Sequence, residues 1–285
     1  MACLLTLRGG AARAARLGVL GALALALPAA AQGPAGAGPA RSGAEVYHAA
    51  CIACHGADGK GTARSLVGFN APLPDFKDCN FASREPNVDW LAVAHLGGPA
   101  RGFSRMMPAF RDALTEVELR RVVDYLRTFC ADDEWPRGEL NLPRALVTEK
   151  AYPEDEVVFT TVSAVEGAGV WTYEFVYEKR LGARNQWEIA VPAGIRERST
   201  GGWTGGMGDI SLGIKRVLLH SLRSGTIFSA VGELILPTGD EDDDFGAGTA
   251  AFEPFLALGQ TLPAGAFAQL QAGLGLPFDR DRAND

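Results

Sequence analysis

The stretch "AACIACHGADGKG" at residues 49–61 constrains this chain more than any other. It places Cys51 and Cys54 with two residues between them and His55 directly after. Half a zinc site, a redox dithiol and a haem attachment site all use such a group. A structural zinc site calls for a second close pair of Cys or His ligands, and the chain has none. A thioredoxin-like dithiol opens a helix inside βαβ units, and the flanks show no such alternation. Covalent haem attachment needs two thiols at this spacing to meet the vinyl groups, with the next residue as proximal imidazole. The motif therefore reads as the site of one covalent haem c, held by Cys51 and Cys54 with His55 on the iron.

The N-terminus supports this reading. Arg8, Arg13 and Arg16 precede "LGVLGALALALPAAA", an apolar run that closes on Ala29, Ala30 and Ala31. A basic start, a short apolar core and small residues describe a secretory signal peptide over 1–31, and haem of this type is attached after export. The run is short for a membrane span and is broken at Pro28. Residues 32–42, Gly- and Pro-rich, read as a flexible leader. Cys3 lies ahead of the apolar run, so Cys51, Cys54, Cys79 and Cys130 enter the exported, oxidising compartment. Net charge is −7 with no basic cluster, which argues against a nucleic-acid partner.

Downstream lie "GFSRMMPAF" and "TEVELRRVVDYLRTFC". Thr115 with Glu118 forms a capping box. Leu119, Val122, Val123, Leu126 and Phe129 then recur at helical spacing, opposite Arg120, Arg121, Asp124 and Arg127. "GAEVYHAAC" supplies a first helix with Val46 and Tyr47 facing inward and His48 in solvent. From about Gly43 to Cys130 the sequence resembles class I c-type cytochromes. In that family a Met before Pro ligates the iron and the last helix packs on the first. The resemblance implies Met107, followed by Pro108, as the second axial ligand; Met106 and His95 are the alternatives. Cys79 and Cys130 are the remaining pair, either a disulfide or two buried thiols.

Residues 131–155 are rich in Pro and charge, with weak periodicity, and read as a linker. Beyond them the period becomes two. Trp171, Tyr173, Phe175 and Tyr177 oppose Thr172, Glu174 and Glu178; Trp187, Ile189 and Val191 oppose Gln186 and Glu188. Strands are expected near 156–164, 170–179, 186–195, 208–219, 225–236, 250–260 and 265–276. Turns near 180–185, 220–224 and 261–264 are short, while the outer loops near 196–207 and 237–249 are long and only the first, near 166–169, is tight. Strands of about ten residues with this alternation of connections suit a transmembrane barrel. A soluble β-sandwich or lipocalin-like barrel shows the same residue alternation. "MGDISLGIK" and "ELILPTGD" resemble outer-membrane channels of the phenol-degradation type. Such barrels have even strand numbers, so the expectation over 156–285 is an incomplete barrel, truncated in "DRDRAND". "GDEDDDFGAG" reads as a solvated acidic loop rather than a calcium site.

The expected fold is thus multidomain: a small all-α cytochrome c fold at 43–130, then an all-β antiparallel barrel. The expected function is a monohaem electron carrier at the periplasmic face of an outer membrane in a Gram-negative-type bacterium. Its partners would be redox proteins or a small electron donor, and outer-membrane lipid. The alternative is an outer-membrane channel with an accessory haem domain. Haem-dependent peroxide catalysis would need an open sixth position, and Met107 counts against that.

Overall fold

The computed structural model describes residues 40–145, 147–164 and 169–279. The expected signal peptide, almost all of the leader and most of "DRDRAND" lie outside them.

Six helices build the first half: α1 (Gly43–Ala50), α2 (Ile52–His55), α3 (Arg64–Val67), α4 (Cys79–Ala82), α5 (Asn87–Leu96) and α6 (Glu116–Arg127). Both long-range partners, α1 and α6, open with complete capping boxes, Ser42 with Glu45 and Thr115 with Glu118. Each box satisfies backbone N–H groups that a helix start leaves free. The two helices cross closely because Gly43 has no side chain; a Cβ there would overlap the Arg121 carbonyl. Val46, Tyr47, Leu119 and Val122 form the buried core at this crossing, with Leu126 and Phe129 packed against it. His48 is exposed, as expected.

Arg127 departs from expectation. Helical spacing puts it on the solvent face, but it is buried, 9% exposed. Its Nη2 donates to the Glu85 carbonyl at 2.7 Å, its Nε to Asn87 Oδ1 at 2.8 Å, and its Nη1 to the Ala82 carbonyl. The guanidinium also lies 3.8 Å over the Trp90 ring. A long side chain at a helix end can reach carbonyls that no α-helix partner satisfies, and period alone does not reveal them.

The second half is one antiparallel sheet. Its strands are β1 (Glu156–Ser163), β2 (Val170–Leu181), β3 (Asn185–Glu197), β4 (Trp203–Met207), β5 (Ile210–Ser221), β6 (Thr226–Leu236), β7 (Ala251–Thr261), β8 (Phe267–Gly273) and β9 (Leu276–Pro277). The order is β1-β2-β3-β5-β6-β7-β8, with β4 on β3 and β9 on β7. Because β4 continues the line of β5, and β9 that of β8, the sheet is a seven-strand meander with two interruptions. Among the described residues β1 and β8 do not pair with each other, so the sheet is an open half-barrel.

Two expectations are corrected here. The loop near 196–207 is short, because Trp203–Met207 pairs with Ala193–Glu197 as β4. Its "GG" hid it, and Gly206 is needed where the Phe245 ring passes: a Cβ would lie 2.7 Å from Phe245 Cδ2. The segment 131–155 is also more than a spacer. Pro136, Leu140, Tyr152 and Pro153 in it are almost wholly buried. Leu140, Ala151 and Tyr152 share a core with Val217, Ile227 and Phe255 of the sheet. An irregular segment packed on a curved face shows no period of its own.

Beside the apolar core around Leu140 and Tyr152, the inner face of the sheet buries polar and charged side chains, and its outer face exposes apolar ones. On β5, Lys215 is 1% exposed while its neighbour Ile214 is 65% exposed. Glu178, Gln186, Glu188 and Ser229 are buried on the same inner face, and Phe159, Trp171, Leu256 and Leu270 are exposed outward. A soluble sandwich or lipocalin-like sheet would show the reverse.

Candidate redox centre

Cys51 ends α1 and starts α2, donating its N–H to the Tyr47 carbonyl at 2.9 Å. His55 closes α2, its N–H bonded to the Cys51 carbonyl at 2.9 Å. The helix stops there because Gly56 takes φ +73°, a conformation that costs a glycine little. Its carbonyl then receives the Tyr47 hydroxyl at 2.6 Å, tying the motif to the core of the domain. Backbone bonds from Gly61 to His55 (2.9 Å) and from Thr62 to Cys54 (2.8 Å) fold the following loop back over it.

The three motif residues are chemically distinct. Burial, then the neighbouring Cys54, pushes the Cys51 thiol up to about 11. A redox dithiol works through a thiolate of lowered pKa, so this environment disfavours that alternative. Burial lowers the pKa of His55, and its Nδ1 is buried without a hydrogen-bond partner. Its ring lies 5.1 Å from Phe76, which packs 5.4 Å from Trp90. Phe76 and Trp90 went unnoticed in the sequence because single aromatics in loop and helix carry no motif.

The loop after α5 carries the two methionines. Gly97 has φ +87°, and the Gly98 N–H donates to the Met107 carbonyl at 3.0 Å. A Cβ on Gly98 would lie 3.2 Å from the Met107 Cβ and overlap the Ser104 carbonyl, so this glycine lets the loop close. Met107 is half-buried, whereas Met106 is 52% exposed. His95 sits at the end of α5 with Nε2 3.6 Å from a Glu116 carboxylate oxygen.

Cys79 and Cys130 are bonded to each other, with Cα atoms 5.3 Å apart, while Cys51 and Cys54 remain free thiols. The disulfide holds α4 to the end of α6. The residue after α4, Ser83, is where the other half attaches. Its carbonyl accepts from the Tyr152 hydroxyl at 2.9 Å and its Oγ from Arg180 at 3.3 Å. Arg84 pairs with Asp155 at 2.6 Å alongside. Burial and Arg137 pull Arg127 down to about 10, which leaves it charged at neutral pH.

In the acidic loop, Asp243 accepts from Arg198 at 3.0 Å and from Thr204 at 2.8 Å, and Asp244 pairs with Arg196. Part of its charge is therefore spent inside the chain.

Two free thiols and an imidazole with an unpartnered buried nitrogen fit a haem. Residues 38–126 match the family model described as cytochrome c oxidase, cbb3-type, subunit III. This segment is a c-type cytochrome domain, which implies a haem c cofactor and suggests electron transfer. None of the curated proteins matches the chain. Among the described residues no helix is long and apolar enough to cross a membrane.

Proposed function

We propose that the chain is a monohaem c-type cytochrome carrying electrons at the periplasmic face of an outer membrane, with its haem domain tethered to a β-barrel in that membrane. One observation carries the haem assignment. With Cys79 and Cys130 bonded to each other, Cys51 and Cys54 stay free beside a buried His55 with an unpartnered Nδ1. When bound, haem supplies a one-electron couple between ferric and ferrous iron. Cys51 and Cys54 would hold it covalently, and His55 and Met107 would supply the ligands to its iron. Met107 is favoured over Met106 by its burial, and over His95 because that ring is engaged with Glu116. A thioether ligand opposite imidazole keeps the potential above that of a two-histidine site. With both axial positions filled by protein, electron transfer is favoured over peroxide catalysis.

The membrane assignment is supported by the inside-out sheet, because lipid rewards exposed Ile, Leu and aromatic residues that water penalises. The signal-peptide reading supports export. Redox partner proteins or a small donor then meet the haem domain in the periplasm. The channel reading retains one supporting observation, the polar inner face.

Met107→Ala should remove the Met-to-iron charge-transfer band and lower the reduction potential, while Met106→Ala leaves both in place. An unchanged Met107→Ala spectrum rejects the ligand. The membrane reading requires the mature chain to fractionate with outer membranes; full solubility without detergent rejects it.

A further inference from the structure

We infer that the segment between Gly138 and Asp155 is a plug seated on the inner face of the sheet, so that the barrel proposed above anchors the haem domain and passes no small solute while this segment is in place. The inference rests on the membrane reading of the sheet.

The inner face spends its polar side chains on this segment's backbone. Gln186 Oε1 accepts from the Glu154 N–H at 2.6 Å, and Gln271 Oε1 from the Glu149 N–H at 2.8 Å. Gln269 Nε2 donates to the Pro143 carbonyl at 2.6 Å, and Ser229 Oγ to the Ala151 carbonyl. Strands β3, β6 and β8 thus each contribute. A wall lining open water leaves its amides to the solvent; here Gln186 satisfies a buried backbone N–H of an irregular segment, which would otherwise be costly to bury, while Gln269 and Gln271 hold its more exposed part.

The wall is also shaped for its occupant. Ser229 and Ala257, both fully buried, are small where the segment crosses. A Cβ on Gly259 would lie 3.1 Å from Leu142 Cδ1 and 3.0 Å from Ile227 Cγ2, so only glycine gives Leu142 ordinary room. Leu140 and Tyr152 enter the same core as Val217, Ile227, Val231 and Phe255. Charge is settled locally: Lys150 pairs with Glu154 at 2.7 Å, and Lys179 with Asp155 at 2.9 Å.

The segment is anchored at both ends. Upstream it follows Cys130, which is bonded to Cys79, and downstream it runs into β1. Tyr152 also holds Ser83 of the haem domain. Any displacement of the plug would therefore pull on the haem domain, coupling one to the other.

The test uses the full haem-loaded chain in detergent and in sugar-loaded vesicles. Ser229→Cys, a near-isosteric change under the plug, should react with a bulky impermeant maleimide at least about 100-fold slower than Val147→Cys, whose position is exposed. Vesicles carrying the otherwise unaltered chain should release sugar no faster than empty ones. Gln186→Ala/Gln269→Ala/Gln271→Ala should raise both release and Ser229→Cys labelling about tenfold. Equal labelling of Ser229→Cys and Val147→Cys overturns the plug, as does wild-type release faster than that of empty vesicles. A triple variant that changes neither readout overturns the amides as its clamp. A chain that fails to stay with vesicles rejects the membrane reading alone, and the labelling in detergent still decides the plug.

Discussion

In the helical domain, Val46, Tyr47, Leu119 and Val122 meet where α1 crosses α6, while Arg120, Arg121 and Asp124 face outward. In the sheet, Glu178, Gln186 and Lys215 lie inside while Phe159 and Ile214 face out. The first arrangement is stable in water because burying each large apolar side chain contributes about 1.5–3 kcal/mol. The second gains nothing from water on its outer face. In its interior many polar side chains are paired, Gln186 with Glu178 and Ser229 with the segment between the two halves among them. On the membrane reading proposed above, one chain folds against two solvents, and its two halves meet at Ser83, Tyr152 and Arg180.

The largest expected effect concerns the cofactor. Cys51→Ala/Cys54→Ala should abolish haem staining on denaturing gels, a loss of at least ~100-fold, since both covalent links depend on these thiols. The fold of the sheet should survive, because it contributes nothing to the motif.

Packing comes next. Tyr47 is fully buried, 5.4 Å from both Tyr125 and Phe129, and its hydroxyl holds Gly56. Tyr47→Ala should cost about 3–5 kcal/mol in denaturant unfolding followed by haem absorbance. Trp171→Ala, on the outer face of the sheet, should cost under about 1 kcal/mol in detergent. Equal costs would break the contrast between the halves.

A charge placed on each surface sharpens it. Leu256→Arg on the outer face should cost about 2–4 kcal/mol near the middle of a bilayer when refolding into vesicles is measured. Val88→Arg, on an exposed site of the haem domain, should stay within about 0.5 kcal/mol. A Leu256→Arg chain that refolds into vesicles as readily as wild type would remove the lipid-facing assignment.

The smallest effect is one of pH. Glu118 is held down to about 2, first by its hydrogen bond with Arg41 and then by the Thr115 N–H. Its folded pKa is depressed, so its contribution is complete above the usual carboxylate range. That contribution is lost as pH falls from about 4.5 toward about 2. Thermal melts of wild type and Glu118→Gln should converge across that window and stay apart at pH 6. A constant gap would assign the effect to packing rather than charge.

Much of the molecule was legible in local sequence. The capping box at Thr115, the apolar stripe from Leu119 to Phe129 and the period-two runs are short-range patterns, and the elements stand where they predict. The spacing of Cys51, Cys54 and His55 is likewise local, and it points to haem chemistry without any coordinates. β4 escaped because its glycines carry no alternation, and their use depends on the distant Phe245 ring.

What the sequence by itself determined is therefore the inventory: a haem motif, its helices, and strands with one polar and one apolar face. Which face turns inward was a tertiary decision, since alternation is symmetric and only the curvature of the sheet and its contents break the symmetry. The burial of Arg127 and the seating of the segment before β1 were decided the same way. Their partners (the Ala82 and Glu85 carbonyls, and the amides of Gln186, Gln269 and Gln271) lie tens of residues away, and hydrogen bonds to distant backbone leave no period in the sequence.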